Sequence, residues 1–147
     1  MLNLLSPVKE IMSSNLLTVS ETAPLTEVEE IFKNHKIHHI PVIENDRLVG
    51  LISKSDFLFF QRGFNSDESK YDNFRFKTHF VHQIMTRGVA RLDVDDRINV
   101  ALEIFKENLF HAIPVEKDGK LKGIVTTYDI IKALAEGNGA TNEYPTD

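Results

Sequence analysis

The sequence predicts a mixed α+β protein, layered as α/β, built from two β-α-β-β-α repeats related by pseudo-twofold symmetry. Three observations predict it. A shift of 73 residues aligns Val8-Lys9-Glu10-Ile11-Met12 with Val81-His82-Gln83-Ile84-Met85, and His38-His39-Ile40-Pro41-Val42 with His111-Ala112-Ile113-Pro114-Val115. Over residues 8–56 this gapless shift gives 14 identities in 49, in several separate blocks, which marks an internal duplication. Each copy also carries a stripe of helical period followed by two apolar runs of strand length. Finally, a unit of this kind cannot cover its own sheet, so two copies are needed to bury one another.

The elements follow in order along the first copy. Leu16-Leu17-Thr18-Val19 is a short apolar and β-branched run that predicts a strand. Leu25, Val28, Ile31 and Phe32 then recur at three- and four-residue spacing among Glu27, Glu29, Glu30 and Lys33, the pattern of an amphipathic helix. Thr22 is its expected N-cap, with Pro24 near the first turn. In the second copy Asp95 takes the capping place, and Ile98, Ala101, Leu102 and Phe105 form the stripe. Ile40 to Ile43 and Leu48 to Ile52 predict two strands joined by the turn-formers Glu44-Asn45-Asp46, replaced by Lys117-Asp118-Gly119 in the second copy. A second helix opens at Ser53 or Thr126 and carries Phe57, Leu58 and Phe60, or Ile130, Ile131 and Leu134. The expected division is a first repeat over residues 5–62, a linker over 63–80, a second repeat over 81–136 and a frayed tail over 137–147. In the linker, residues 65–70 read as a solvated loop, while Phe74, Phe76 and Phe80 are expected to pin it to the core.

Composition narrows the function. A chain of 147 residues with 41% apolar and 27% charged residues is long enough to fold and too apolar to be disordered. Its longest apolar run, Phe57 to Phe60, is far short of a membrane span. Met1 to Leu5 has neither the basic start nor the apolar stretch of a secretory signal. The absence of cysteine excludes disulfides, thiolate catalysis and cysteine-ligated zinc, and these features together point to the cytoplasm. Seventeen basic and 22 acidic residues leave a net charge of −5, which offers no basic field to nucleic acid. No P-loop, Gly-x-Ser-x-Gly elbow or Gly-x-Gly-x-x-Gly occurs, and His35, His38, His39, His79 and His82 lack a carboxylate at metal-binding spacing. Neither catalysis nor a metal is expected.

Two segments carry the remaining chemistry: Gly50-Leu51-Ile52-Ser53-Lys54-Ser55-Asp56 and Gly123-Ile124-Val125-Thr126-Thr127-Tyr128-Asp129. One reading is a capping box, in which Ser53 or Thr126 caps a helix and the aspartate three residues on bonds back. The other uses the same geometry for a ligand. A carboxylate on a first helical turn accepts hydrogen bonds from the vicinal hydroxyls of a ribose, and the hydroxyl and free amides suit a phosphate. His38 and His111 stand at equivalent places and, with Lys36, His39 or Arg91, would make a compact anion site. Pro41 and Pro114 are expected to stiffen the approach to a sheet edge.

These duplicated blocks resemble a tandem pair of CBS domains, the module named after cystathionine β-synthase, over about residues 5–136. With no catalytic, transporter or kinase domain attached, the chain resembles the stand-alone bacterial members. The resemblance implies two clefts between the repeats that commonly bind adenosine compounds, so the expected ligand is an adenine nucleotide (AMP, ADP or ATP). It implies that Asp56 and Asp129 hold ribose hydroxyls, with Ser53 and Thr126 beside the phosphate or ribose. Thr18 and Arg91 match positions that line the adenine end. His38 and His111 match positions that reach toward phosphates in the regulatory subunit of AMP-activated protein kinase. S-adenosylmethionine and cyclic dinucleotides are the alternative ligands. A ligand-free scaffold is the alternative role, in which the second helices, with Phe57, Phe60, Ile130 and Leu134, pair subunits. A homodimer and an effector protein are the expected partners, without nucleic acid or membrane insertion.

Overall fold

The structure is a computed structural model that describes residues 2–62, 75–108 and 110–137. The fold is mixed α+β, and its described residues fall into two compact units. One is contiguous, Leu16–Val89; the other is composite, Met1–Asn15 with Ala90–Asp147.

In the contiguous unit the elements are α1 (Leu25–Asn34), β1 (His39–Glu44), β2 (Arg47–Ser53) and α2 (Lys54–Arg62), followed by a 3₁₀ turn over Val81–Gln83. β1 and β2 form an antiparallel hairpin in the register Ile40↔Ile52 and Val42↔Gly50, with a bulge between Val42 and Ile43. Asn45 and Asp46 make its turn at φ 51° and 65°, a left-handed pair that short polar side chains tolerate. The strand expected over Leu16–Val19 contracts to a single parallel bridge from Val19 to Val42. The Val19 amide donates to the Pro41 carbonyl and its own carbonyl accepts from Ile43. Pro41 has no N–H to continue the ladder toward Leu17, so the pairing stops there. Leu25, Val28, Phe32, Ile40, Val42, Ile52, Phe57, Phe76, Val81 and Met85 form the core. Ring centroids in its aromatic row lie 5.8 Å apart for Phe32–Phe57 and 5.3 Å for Phe57–Phe76. Phe76 is thus pinned as expected, whereas Phe80 is exposed. Phe74, the 65–70 loop and the tail beyond Gly137 lie outside the described residues.

The composite unit holds β3 (Leu92–Asp93), α3 (Ile98–Glu107), β4 (Ala112–Lys117), β5 (Lys120–Thr126) and α4 (Thr127–Gly137). Its sheet runs β3-β4-β5, with β3 parallel to β4 and β4 antiparallel to β5. Asp118 and Gly119 turn the hairpin at φ 52° and 77°. Val8, Leu92, Val94, Ile98, Ala101, Ile113, Val115 and Val125 form the core.

Val8 comes from the chain's leading segment, which groups with the second copy. There Ser13 and Ile124 exchange amide-to-carbonyl hydrogen bonds, both of 2.9 Å. The contiguous unit shows the counterpart 73 residues on, where Thr86 pairs with Leu51 at 2.9 and 3.0 Å. Each copy's leading segment therefore completes the other copy's unit. The exchange also overturns the expected helix caps. α1 and α3 begin after Pro24 and Arg97, neither with a side-chain cap. Backbone carbonyls serve instead: Leu25 donates to His79, Ile98 to Ser6 and Asn99 to Leu4. Thr22 is left bonding Ser20, and Asp95 pairs with Lys9 at 2.8 Å. No helix among the described residues is long and apolar enough to cross a membrane.

Candidate functional site

Each hairpin ends where a helix begins, and the two Gly-x-x-Ser/Thr-x-x-Asp segments span that junction. In the contiguous unit β2 closes at Ser53 and α2 opens at Lys54. Ser53 Oγ accepts the Asp56 amide at 3.0 Å and lies 3.1 Å from Ser55 Oγ. The Lys54 amide donates to the His38 carbonyl at 2.7 Å, and His39 pairs in register with Ser53. Ser53, Asp56, His38 and His39 are thus gathered around one helix start. The Asp56 side chain is exposed, and its carboxylate accepts no hydrogen bond among the described residues. Thr18 precedes the bridging Val19 in the same unit and makes no side-chain bond to this group.

The composite unit repeats the pattern with one difference. The Thr127 amide donates to the His111 carbonyl at 3.1 Å, and the Asp129 amide to Thr126 Oγ1 at 3.1 Å. Here the carboxylate folds back: Asp129 Oδ2 accepts the Thr126 amide at 2.9 Å, completing a reciprocal capping box. Its Oδ1 accepts the Ser13 hydroxyl at 3.2 Å. Asp129 is half-buried where Asp56 is exposed. Arg91 reaches Glu116 on β4 at 3.3 Å, so its guanidinium is tied to the sheet face. Ser13 is the residue that sequence reasoning missed. Nothing in its local pattern marks it, because it reaches Asp129 only through the exchange of leading segments.

Glycine is needed at both junctions. A Cβ on Gly123 would stand 2.5 Å from Met12 Sδ and 2.9 Å from the Ser13 carbonyl oxygen, and one on Gly50 would stand 2.5 Å from Met85 Sδ. The leading segments lie directly against the start of each motif. Of the second-helix residues expected to pair subunits, Phe57 and Ile130 are buried in their own units, Phe60 packs partly buried against the core, and Leu134 is exposed; Leu58, Phe59, Tyr128 and Ile131 are exposed beside them. No group of three or more histidine or acidic side chains among the described residues is arranged to hold a metal.

The CBS domain family model matches residues 8–63 and 81–136. The chain belongs to the CBS domain family. Among curated relatives, this CBS protein is 28% identical over 129 residues to MJ1225 of Methanocaldococcus jannaschii, covering 87% of this chain and 42% of that one. It spans less than half the length of the curated relatives it first matches. The CBS domain pair of MJ0100, solved with 5′-methylthioadenosine and S-adenosyl-L-methionine, superposes with a TM-score of 0.71 at 25% identity, over 90% of this chain and 98% of that one. CBSX2, solved in complex with AMP, superposes with a TM-score of 0.75 at 24% identity over 90% and 98%, a likeness of fold. This chain is therefore a tandem CBS pair in fold and family.

Proposed function

We propose that this CBS pair is a regulatory sensor that binds an adenosine compound, in the first place AMP, ADP or ATP, and passes its occupancy to a partner protein. One observation carries the reading. Ser53 with Asp56 and Thr126 with Asp129 hold a hydroxyl and a carboxylate at the same place, a helix start, in two units that differ at most other positions. The carboxylates are suited to ribose hydroxyls and the helix starts to a phosphate. The MJ0100 pair supports the ligand class, since both compounds in its structure contain adenosine. His38 and His111, whose carbonyls tie them to these helix starts, are the proposed phosphate neighbours, with His39 beside Ser53. Thr18 and Arg91 are proposed for the adenine end.

Calorimetry with AMP, ADP and ATP tests the assignment. A hydrogen bond to a carboxylate contributes about 1.5–3 kcal/mol, so Asp56→Ala or Asp129→Ala should weaken its own site about tenfold or more. Unchanged affinity in both variants removes the role. If the histidines meet phosphate, affinity rises as pH falls from about 8 to about 6, because imidazolium pairs with the anion. A flat profile leaves them structural.

A second reading is a ligand-free module that joins subunits or an effector. The exposure of Tyr128, Ile131 and Leu134 on α4 favours it. A thermal-shift screen separates the two readings, because a bound ligand raises stability by mass action and a scaffold shows no response.

A further inference from the structure

We propose that Ser13 is a positioning residue for Asp129, and that through it the site of the composite unit binds its ligand more tightly than the site of the contiguous unit. This rests on the adenosine-binding reading above. The two carboxylates differ in how they are held. Asp129 is half-buried and fixed at both oxygens, Oδ1 by the Ser13 hydroxyl at 3.2 Å and Oδ2 by the Thr126 amide at 2.9 Å. Asp56 is exposed, and among the described residues no donor reaches its oxygens. Thr86, the counterpart of Ser13 in the duplication, keeps the backbone pairing with Leu51 but makes no bond to Asp56.

A carboxylate has about four acceptor sites, so the bonds from Ser13 and Thr126 leave one open on each oxygen of Asp129, enough for a vicinal diol. That side chain, held at both oxygens, gives up less rotamer freedom when a ligand arrives than a free one does. Asp56 must be ordered by the ligand, at an expense of affinity. Ser13 sits in the leading segment supplied by the other copy.

The test is calorimetry of the full chain with AMP, comparing wild type with Ser13→Ala, Ser13→Thr, Asp56→Ala and Asp129→Ala. The expected result is that the tighter phase disappears in Asp129→Ala and persists in Asp56→Ala. Ser13→Ala should weaken it about threefold to tenfold, the effect of freeing one side chain, and Ser13→Thr should restore it. The thermal midpoint of Ser13→Ala should stay near wild type, since the backbone pair with Ile124 does not need the hydroxyl. A tighter phase that depends on Asp56, or one indifferent to Ser13→Ala, overturns the proposal while leaving adenosine binding intact. Wild type that takes up none of AMP, ADP, ATP or S-adenosylmethionine overturns both.

Discussion

Gly50 and Gly123 show how a single missing methyl group fixes the positions of the candidate sites. Each lets a methionine and a backbone carbonyl from a leading segment approach closer than a Cβ would ordinarily allow. Gly123→Ala forces the Ser13 carbonyl away and should destabilise the protein by about 1–3 kcal/mol, the usual range for overpacking. Chemical denaturation checks this, and an unchanged midpoint would mean that the segment yields freely. A different residue-scale prediction concerns Asp95. The hydrogen bond and charge of Lys9, with a smaller contribution from Lys117, hold its carboxyl below the ordinary value of 3.8. A depressed folded-state value stabilises above the unfolded one and is lost as pH falls through the folded one. The stability gap between wild type and Asp95→Asn should therefore be present at pH 7, shrink below about pH 4, and narrow with added salt because the pair is exposed. Equal gaps at pH 7 and pH 3 would rule the pair out as a contributor.

At the scale of elements, the hairpins and helices were legible because the information is local. The runs Ile40–Ile43 and Leu48–Ile52, and the turn residues Asn45, Asp46, Asp118 and Gly119, need only their neighbours to declare a hairpin. The Ser/Thr-x-x-Asp segments were legible for the same reason, down to the capping geometry that Asp129 adopts. The helix caps were not. Thr22 and Asp95 carry the right chemistry, but carbonyls of Leu4, Ser6 and His79 reach the helix starts instead, and a backbone carbonyl leaves no mark in a sequence. Ser13 was invisible on the same grounds. The leading segment can be tested by deleting residues 1–13. Amides of Ile98, Asn99 and Ile124 should then lose hydrogen-exchange protection, while that of Leu51, which bonds Thr86, keeps it. Uniform loss across both units would show that the segment does not act on the composite unit alone.

For the molecule as a whole, the duplication seen in the sequence and the units seen in the structure have different boundaries. Residues 16–89 form one unit without interruption, so this fragment should unfold as a cooperative transition on its own. Residues 5–62, one copy as the sequence repeats it, lack Phe76, Val81 and Met85 of that core and should not. Circular dichroism melts of the two fragments decide the matter; a cooperative melt of 5–62 would show that the borrowed residues are dispensable. The crossed leading ends also bear on ancestry. Halving the gene would not yield half of this protein, because the survivor would be missing the piece its sibling had lent it. A single copy on its own could meet the same need only by taking that end from a second molecule of its kind.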